Sequence, residues 1–385
     1  MKSDDERKNL RTWLEVDTKA VAHNYRVFRK LLSKQKGKKV KLMGVIKSNA
    51  YGHNLLEFGG VLEKLGIDWL GVDSLVEALS VPREKVKIPV LVLGYTLPSL
   101  YDDARKHGVS VTVSNFSALK AAMKLTHEKK PLYVHIKVDT GMHRQGFQLG
   151  GQKELFRALS HKKANIVIEG LYTHFAQAKD PRDRDFTMRQ VKEFSMWIKA
   201  FREAGFDPIV HASATSGSMI YPSAHFDMVR VGIGLYGIWP SGLIERGLAD
   251  KITLKPVLSW KAVVSEVKSV AKGERIGYDR TELLQHDSRI AIIPIGYWHG
   301  FPRLLSNKGR VLIHGQTARV LGRVSMDMIV VDVTSIKGVT EGDIATVIGR
   351  DKASQIEARE LGEMSLTTAY EIVTRLNPLM KRLYL

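Results

Sequence analysis

Short bursts of apolar, β-forming residues alternate with longer stretches of helical spacing through the first two thirds of the chain. The bursts lie at 42–46, 69–72, 90–93, 109–113, 132–138, 166–171, 209–211 and 228–231, each of strand length, with a helical pattern after most of them. Parallel strands covered on both faces read as such runs, so about eight strand-then-helix units predict an α/β fold, a (β/α)₈ TIM barrel. A doubly wound open sheet is the alternative, but no Gly-x-Gly-x-x-Gly follows a strand. Ahead of the first burst, Thr12 to Asp17 alternates like a strand, and Asp17 or Thr18 then caps a helix with Val21, Tyr25, Phe28 and Leu32 on one face.

From about Leu254 the texture changes. Residues 257–270 alternate β-formers with polar residues, and 289–295, 310–313, 324–333 and 343–348 follow as short strands between turn signals such as Lys272-Gly273 and Glu341-Gly342-Asp343. A mainly β C-terminal domain is expected. Proline and glycine in Trp239-Pro240-Ser241-Gly242 interrupt the pattern, giving a flexible tail over 1–11, the barrel over 12–243 and the β domain over 244–385.

Composition narrows the options. The 385 residues, 44% hydrophobic, can fill more than one core, and the lack of cysteine excludes disulfides, thiolate metal sites and a cysteine nucleophile. The charged N-terminus has no signal-like apolar stretch and no run is long enough to cross a bilayer, so a cytoplasmic protein without a membrane partner is expected. A net charge of +19 raises nucleic acid as a partner, yet the basic residues are spread, as at 34–39 and 161–163, without a nucleic-acid-binding motif. A solvated basic surface is the better reading.

The candidate chemistry starts at Val45-Ile46-Lys47-Ser48-Asn49-Ala50-Tyr51-Gly52-His53, where an apolar strand ends in a lysine and a polar turn. The carboxyl ends of barrel strands are where such folds place their chemistry, and a partly dehydrated lysine can present the neutral amine that attacks an aldehyde. Alone, the position more often marks a lysine snorkelling from a strand end. The full string, however, resembles the pyridoxal-phosphate lysine motif of the bacterial alanine racemases. That resemblance makes Lys47 the Schiff-base lysine and Tyr51 a phosphate contact, and it extends from about Thr12 to Arg375.

By the same resemblance, Lys137 in His135-Ile136-Lys137-Val138-Asp139 is the often carbamylated lysine that orients Arg144, and Arg144 contacts the cofactor's phenolic oxygen and the substrate carboxylate. His174 packs on the pyridine ring. Thr215, with Ser216 as a close alternative, the backbone at Gly232 and Ile233, and Tyr370 hold the phosphate. Arg230 faces the pyridine nitrogen, where a permanent cation disfavours protonation and weakens the electron sink, which limits side reactions. Barrel-type decarboxylases place a glutamate there instead. Tyr278, in Gly273-Glu274-Arg275-Ile276-Gly277-Tyr278, matches the second catalytic base, which in that family comes from the other subunit. Tyr297 narrows the entrance, the Met326 backbone N–H meets the substrate carboxylate, and Asp327 supports it. Lys179, Trp298 and His299 depart from the family's usual residues and predict a more basic entrance corridor. The resemblance thus implies a homodimer with shared active sites that interconverts L- and D-alanine by two bases, Lys47 and the partner's Tyr278, supplying D-alanine for peptidoglycan, with no metal.

Overall fold

The computed structural model describes residues 7–33, 39–81, 86–126, 130–160, 164–180 and 182–385. The basic runs at 34–38 and 161–163 lie outside them. Contacts divide the chain into two compact units, one of 21–50 and 55–255, the other of 1–20, 51–54 and 256–385.

In the first unit a closed barrel of parallel strands forms from β2 (Lys41–Val45), β3 (Trp69–Val72), β4 (Val90–Val92), β5 (Ser110–Val113), β6 (Leu132–Lys137), β7 (Ile166–Tyr172), β8 (Ile209–His211) and β9 (Met228–Val231). These are the bursts read from the sequence. β2 to β5, β8 and β9 are buried along almost their whole length, which explains why they read as continuous apolar runs rather than alternations. Met43, Trp69, Leu91 and Met228 from β2, β3, β4 and β9 meet in one interior cluster, so the barrel is filled rather than open. β9 closes on β2 with Met43 opposite Arg230, which brings the ends of those two strands side by side.

The second unit is built on one large sheet. β1 (Thr12–Val16), β10 (Leu258–Val263), β11 (Glu266–Val270), β14 (Ser288–Ile293), β15 (Arg310–Ile313), β16 (Gln316–Leu321), β17 (Ile329–Asp332), β18 (Ile344–Asp351) and β20 (Lys381–Tyr384) pair in the order β11-β14-β17-β16-β15-β18-β10-β1-β20. β12 (Arg275–Ile276) and β13 (Glu282–Leu283) form a separate small hairpin, and β19 (Ser354–Ile356) pairs with β18. β10 alternates buried and half-buried residues, the period expected of a sheet with one covered face. Helices Ala358–Met364 and Ala369–Thr374 complete the unit.

The division differs from the expected boundary at 243/244 in three places. β1 runs antiparallel to β10 and parallel to β20, so residues from Thr12 onward join the β unit. Residues 51–54 join it too, because Arg382 donates to Gly52 O at 3.1 and 2.9 Å and Tyr384 Oη donates to His53 O at 2.7 Å. The segment up to Lys255 stays with the barrel unit, tied by Asn24, whose amide donates to Lys255 O at 2.8 Å and accepts from Lys255 N–H at 2.9 Å. Among the described residues no helix is long and apolar enough to cross a membrane, and no cluster of three or more His, Asp or Glu side chains is placed to hold a metal.

Candidate active site

Lys47 follows β2 after one intervening residue, Ile46, and the chain then enters a left-handed turn. Ser48, Asn49 and Ala50 have φ of 56, 55 and 51°, with ψ of 53, 46 and 51°. For residues with a side chain such backbone costs roughly 1–2 kcal/mol each, so the surroundings must hold it in place. Ala50 N–H donates to Ile46 O at 2.7 Å, and Asn49 Oδ1 accepts from Leu55 N–H at 2.9 Å, anchoring the turn to the start of helix Leu55–Lys64. Lys47 Nζ lies 3.2 Å from Asp73 Oδ1, an acidic neighbour that sequence reasoning did not pick out.

Arg230, on the adjacent strand β9, is buried and fully engaged. One of its Nη atoms donates to His211 Nδ1 at 2.8 Å; the other reaches Thr173 O at 2.8 Å, Ala212 O at 2.7 Å and His174 Nδ1 at 3.1 Å. A guanidinium has no acceptor, so both Nδ1 atoms must carry lone pairs and both rings must hold their proton on Nε2. The polarity then propagates inward. His211 Nε2–H donates to His135 Nδ1 at 2.9 Å, and His135 Nε2–H donates to Glu169 Oε2 at 3.3 Å, which also accepts from Ser110 Oγ at 2.5 Å. A one-way hydrogen-bond chain therefore runs from Arg230 through the barrel interior to Glu169. Burial pulls the pKa of His135 down, and burial with the cationic Arg230 pulls those of His174 and His211 well down, keeping all three rings neutral. Burial, with Arg144 adding to it, lowers Arg230 to about 10, which leaves the cation intact at neutral pH. Tyr172 stacks on His211 with ring centroids 4.7 Å apart and lies 5.1 Å beneath the Arg230 guanidinium.

Lys137 ends β6 and is buried in the same mouth. Burial, then the charges of Arg144, Arg230 and Lys47, bring its pKa down to about 8, and its Nζ donates to Gln145 Oε1 at 3.1 Å. Arg144 is exposed on the loop that follows. Asp139 shapes that loop, its Oδ1 accepting from the N–H groups of Gly141, Met142 and His143 at 3.1, 3.0 and 3.0 Å. His143 takes a left-handed φ of 52° within it, and its ring sits 3.4 Å from the same carboxylate.

The third element of the mouth is a cluster of hydroxyls and amides. Thr215 Oγ1 accepts from Gly232 N–H at 3.2 Å and Gly234 N–H at 3.4 Å, so the hydroxyl's own proton is left to donate onward. Thr215 and Ser216 are buried at the first turn of the short helix Thr215–Ile220, and Ile233 is buried as well. Gly234 has no alternative here, because a Cβ would stand 2.5 Å from Phe28 Cζ and 2.7 Å from Thr215 Cγ2.

The β unit carries the remaining candidates. Tyr278 is 69% exposed, in a tight turn where Gly277 (φ 75°) and Asp279 (φ 58°) are left-handed and Asp279 pairs with Arg323 at 2.6 Å. The loops bearing Tyr297 and Met326 are zipped together by Tyr297 N–H to Ser325 O at 3.1 Å and Trp298 N–H to Met326 O at 3.0 Å. Met326 and Trp298 are both more than half exposed. His299 points inward, where burial lowers its pKa, and its Nδ1 accepts from Gly296 N–H at 3.2 Å. With that lone pair used, the nitrogen 3.9 Å from Asp327 has no proton to share, and His299 does not add the positive charge expected from the sequence. Tyr51 and Tyr370 lie 6.2 Å apart between ring centroids, and burial raises both hydroxyls, Tyr51 to about 12.

Comparison with known proteins settles the lineage. Residues 16–240 match the family description "Alanine racemase, N-terminal domain" and residues 257–384 match "Alanine racemase, C-terminal domain". The chain belongs to the alanine racemase family. It is 36% identical over 377 residues to the alanine racemase of Methanococcus maripaludis, covering 97% of this chain and 98% of that one, and 37% identical over 382 residues to that of Halothermothrix orenii, covering 97% and 96%. Among solved structures it is similar to alanine racemase from Clostridium difficile 630, with a TM-score of 0.89, 29% identity and 98% and 96% of the two chains covered. It also resembles that from Bacillus anthracis with bound L-Ala-P, with a TM-score of 0.88, 31% identity and 97% and 95% covered.

As a member of this family the chain is an isomerase enzyme. The structure gathers Lys47, Lys137, His174, Thr215, Ser216, Arg230, Gly232 and Ile233 within the barrel unit, and Tyr51, Tyr278, Tyr297, Met326, Asp327 and Tyr370 within the β unit. Sequence reasoning missed His135, His211 and Glu169 as a group, although His135 lies in the same segment as Lys137. The available signal was a polar side chain within otherwise apolar barrel strands, where an unpaired group is costly.

Proposed function

We propose that the protein racemises alanine with pyridoxal phosphate and two bases, Lys47 and Tyr278 of the partner subunit. The observation that carries the reading is the placement of Lys47 and Arg230 at the same end of two neighbouring barrel strands, with donor groups for an anion beside them. One relative's solved structure, from Bartonella henselae, is described with covalently bound pyridoxal phosphate.

The residues present fit that cofactor. Lys47 supplies the amine for its aldehyde. Thr215, whose hydroxyl is free to donate, with Ser216, the amides of Gly232 and Ile233, and the hydroxyls of Tyr51 and Tyr370, suit a phosphate dianion. When bound, pyridoxal phosphate supplies the electron sink that acidifies the substrate's Cα–H. Arg230, locked as a pure donor by two imidazole lone pairs and two carbonyls, would face the pyridine nitrogen and disfavour a proton there. His174 would pack on the ring, its Nε2–H turned away from Arg230.

Lys47 Nζ moves the proton on the D side of Cα and Tyr278 of the partner subunit moves it on the L side. Arg144 and the backbone N–H of Met326 of the partner subunit hold the substrate carboxylate, Asp327 supports the Met326 loop, and Tyr297 narrows the entrance. At a pKa of about 8, Lys137 keeps neutral amine available to add CO₂, forming an N–C bond with release of one proton, and the resulting anion would hold the Arg144 guanidinium. The working form is a cytoplasmic homodimer with shared sites, and its product D-alanine feeds peptidoglycan.

The test is D-alanine formation from L-alanine with added cofactor in deuterium oxide, which should label Cα in both enantiomers. Mixing inactive Lys47→Ala with inactive Tyr278→Phe chains after dissociation should restore activity through the one intact site of each mixed dimer. Mixed dimers that form and stay silent would remove the shared site.

A further inference from the structure

The stretch Ser74-Leu75-Val76-Glu77 has the spacing of a capping box, in which the glutamate would bond back to the amide of its own helix cap. Half of that device forms, since Glu77 N–H donates to Ser74 Oγ at 3.3 Å and starts helix Leu75–Ser80. The carboxylate goes elsewhere. Its Oε1 accepts from Ser48 N–H at 2.6 Å and Asn49 N–H at 3.3 Å, and its Oε2 accepts from Asp73 N–H at 2.8 Å.

Ser48 and Asn49 are the left-handed residues immediately after Lys47. Consecutive N–H groups that converge in a turn form a concavity suited to an anion, and here a carboxylate from another strand–helix unit fills it. The same side chain also fixes the loop after β3, whose Asp73 Oδ1 stands 3.2 Å from Lys47 Nζ. The turn that carries Lys47 and the loop that meets its amine are thus joined through one group. Ala50 adds the bond to Ile46 O, but that bond lies along the chain and does not tie the turn to a neighbouring strand.

We propose that Glu77 is a positioning residue for Lys47: its carboxylate clamps the left-handed turn to the β3 loop and so sets where the lysine amine stands. This rests on Lys47 being the reacting amine, as proposed above. Glutamine would keep one acceptor oxygen but put an NH₂ group against the remaining backbone N–H, so the order of hold should be glutamate, then glutamine, then alanine.

The test uses the full chain with Glu77→Ala, Glu77→Gln and, as a control, Glu57→Ala, an exposed glutamate on helix Leu55–Lys64. Hydrogen exchange of the Ser48 and Asn49 amides, measured without substrate, should quicken about tenfold or more in Glu77→Ala and stay unchanged in Glu57→Ala. Turnover per cofactor-bearing site should fall about a hundredfold in Glu77→Ala, with KM moving far less and Glu77→Gln falling in between. Unchanged exchange at Ser48 and Asn49 would overturn the clamp. So would a kcat per site within about twofold of the parent in a protein that is merely less stable, since that marks a structural role alone. If Glu77→Ala does not fold, Glu77→Gln is judged by the same two readouts. A parent chain without racemase activity would sink the functional reading, while the exchange result would still decide the clamp.

Discussion

Replacing Glu169 by glutamine tests the inward hydrogen-bond chain at its far end, away from any proposed contact with substrate. Glu169 Oε2 accepts from His135 Nε2–H at 3.3 Å and Ser110 Oγ at 2.5 Å, and its side chain is only 22% exposed. Burial pushes the carboxyl's pKa up, but the hydrogen bonds from His135 and Ser110 and the nearby charge of Lys41 outweigh it, and the net shift is downward. The ionised form is therefore the one that folding favours. Glutamine keeps an acceptor oxygen and loses the charge, so each bond drops from the charge-assisted class at about 1.5–3 kcal/mol to the neutral class at about 0.5–1.5. Discounted for the long His135 contact and the partial exposure, about 1–2 kcal/mol of stability should go at pH 7. A folded-state pKa below the unfolded one gives stability that is complete above the unfolded value, near 4.3, and fades as pH falls through the folded value. Chemical denaturation of Glu169→Gln and parent should show a gap at pH 7 that closes as pH falls below about 4.3. Equal stability at pH 7, or a gap that persists in acid, would refute the reasoning.

Further expectations rest on the same geometry. In CO₂-free buffer, where Lys137 is a free amine, Lys137→Met should lose the pH dependence that the parent shows: a lysine lowered to about 8 on folding makes the parent gain stability as pH rises from about 8 toward 10.4, measurable by denaturation across that window. ¹³C-labelled bicarbonate should give a carbamate NMR signal in the parent that is missing from Lys137→Met. Gly234→Ala drives a methyl into Phe28 and Thr215, and should cost about 1–3 kcal/mol and weaken cofactor binding, read by denaturation and by titration of the cofactor's absorbance. Arg230→Lys brings three donors to the four Arg230 acceptors and leaves at least one of them unserved in a buried site. It should lower stability by about 1–3 kcal/mol for each buried group left unpaired, with far slower racemisation in a D-alanine assay.

Much of the fold was legible because the barrel strands are buried on both faces, and burial writes itself into sequence as uninterrupted apolar runs. β1 was legible as a strand but not as a member of the β unit, since alternation reports one covered face and not which strands flank it. β16, β20 and the two C-terminal helices went unread because the segments are short and their partners are distant in sequence. The site was legible only where a motif carries chemistry. The left-handed run from Ser48 falls on four residues with side chains before it reaches Gly52, and Glu77, 29 positions downstream of Ser48, supplies an anion to its first two amides. His299 shows the reverse error: a histidine read as surface charge is turned inward by the Gly296 N–H.

β1 is completed on one side by β10 and on the other by β20, the last strand of the chain. Thr12–Val16 is therefore made long before its outer neighbour Lys381–Tyr384, so this side of the sheet closes late and its first strand waits with an open edge. Loss of Lys381–Tyr384 would leave that edge of β1 permanently unpaired, an aggregation hazard.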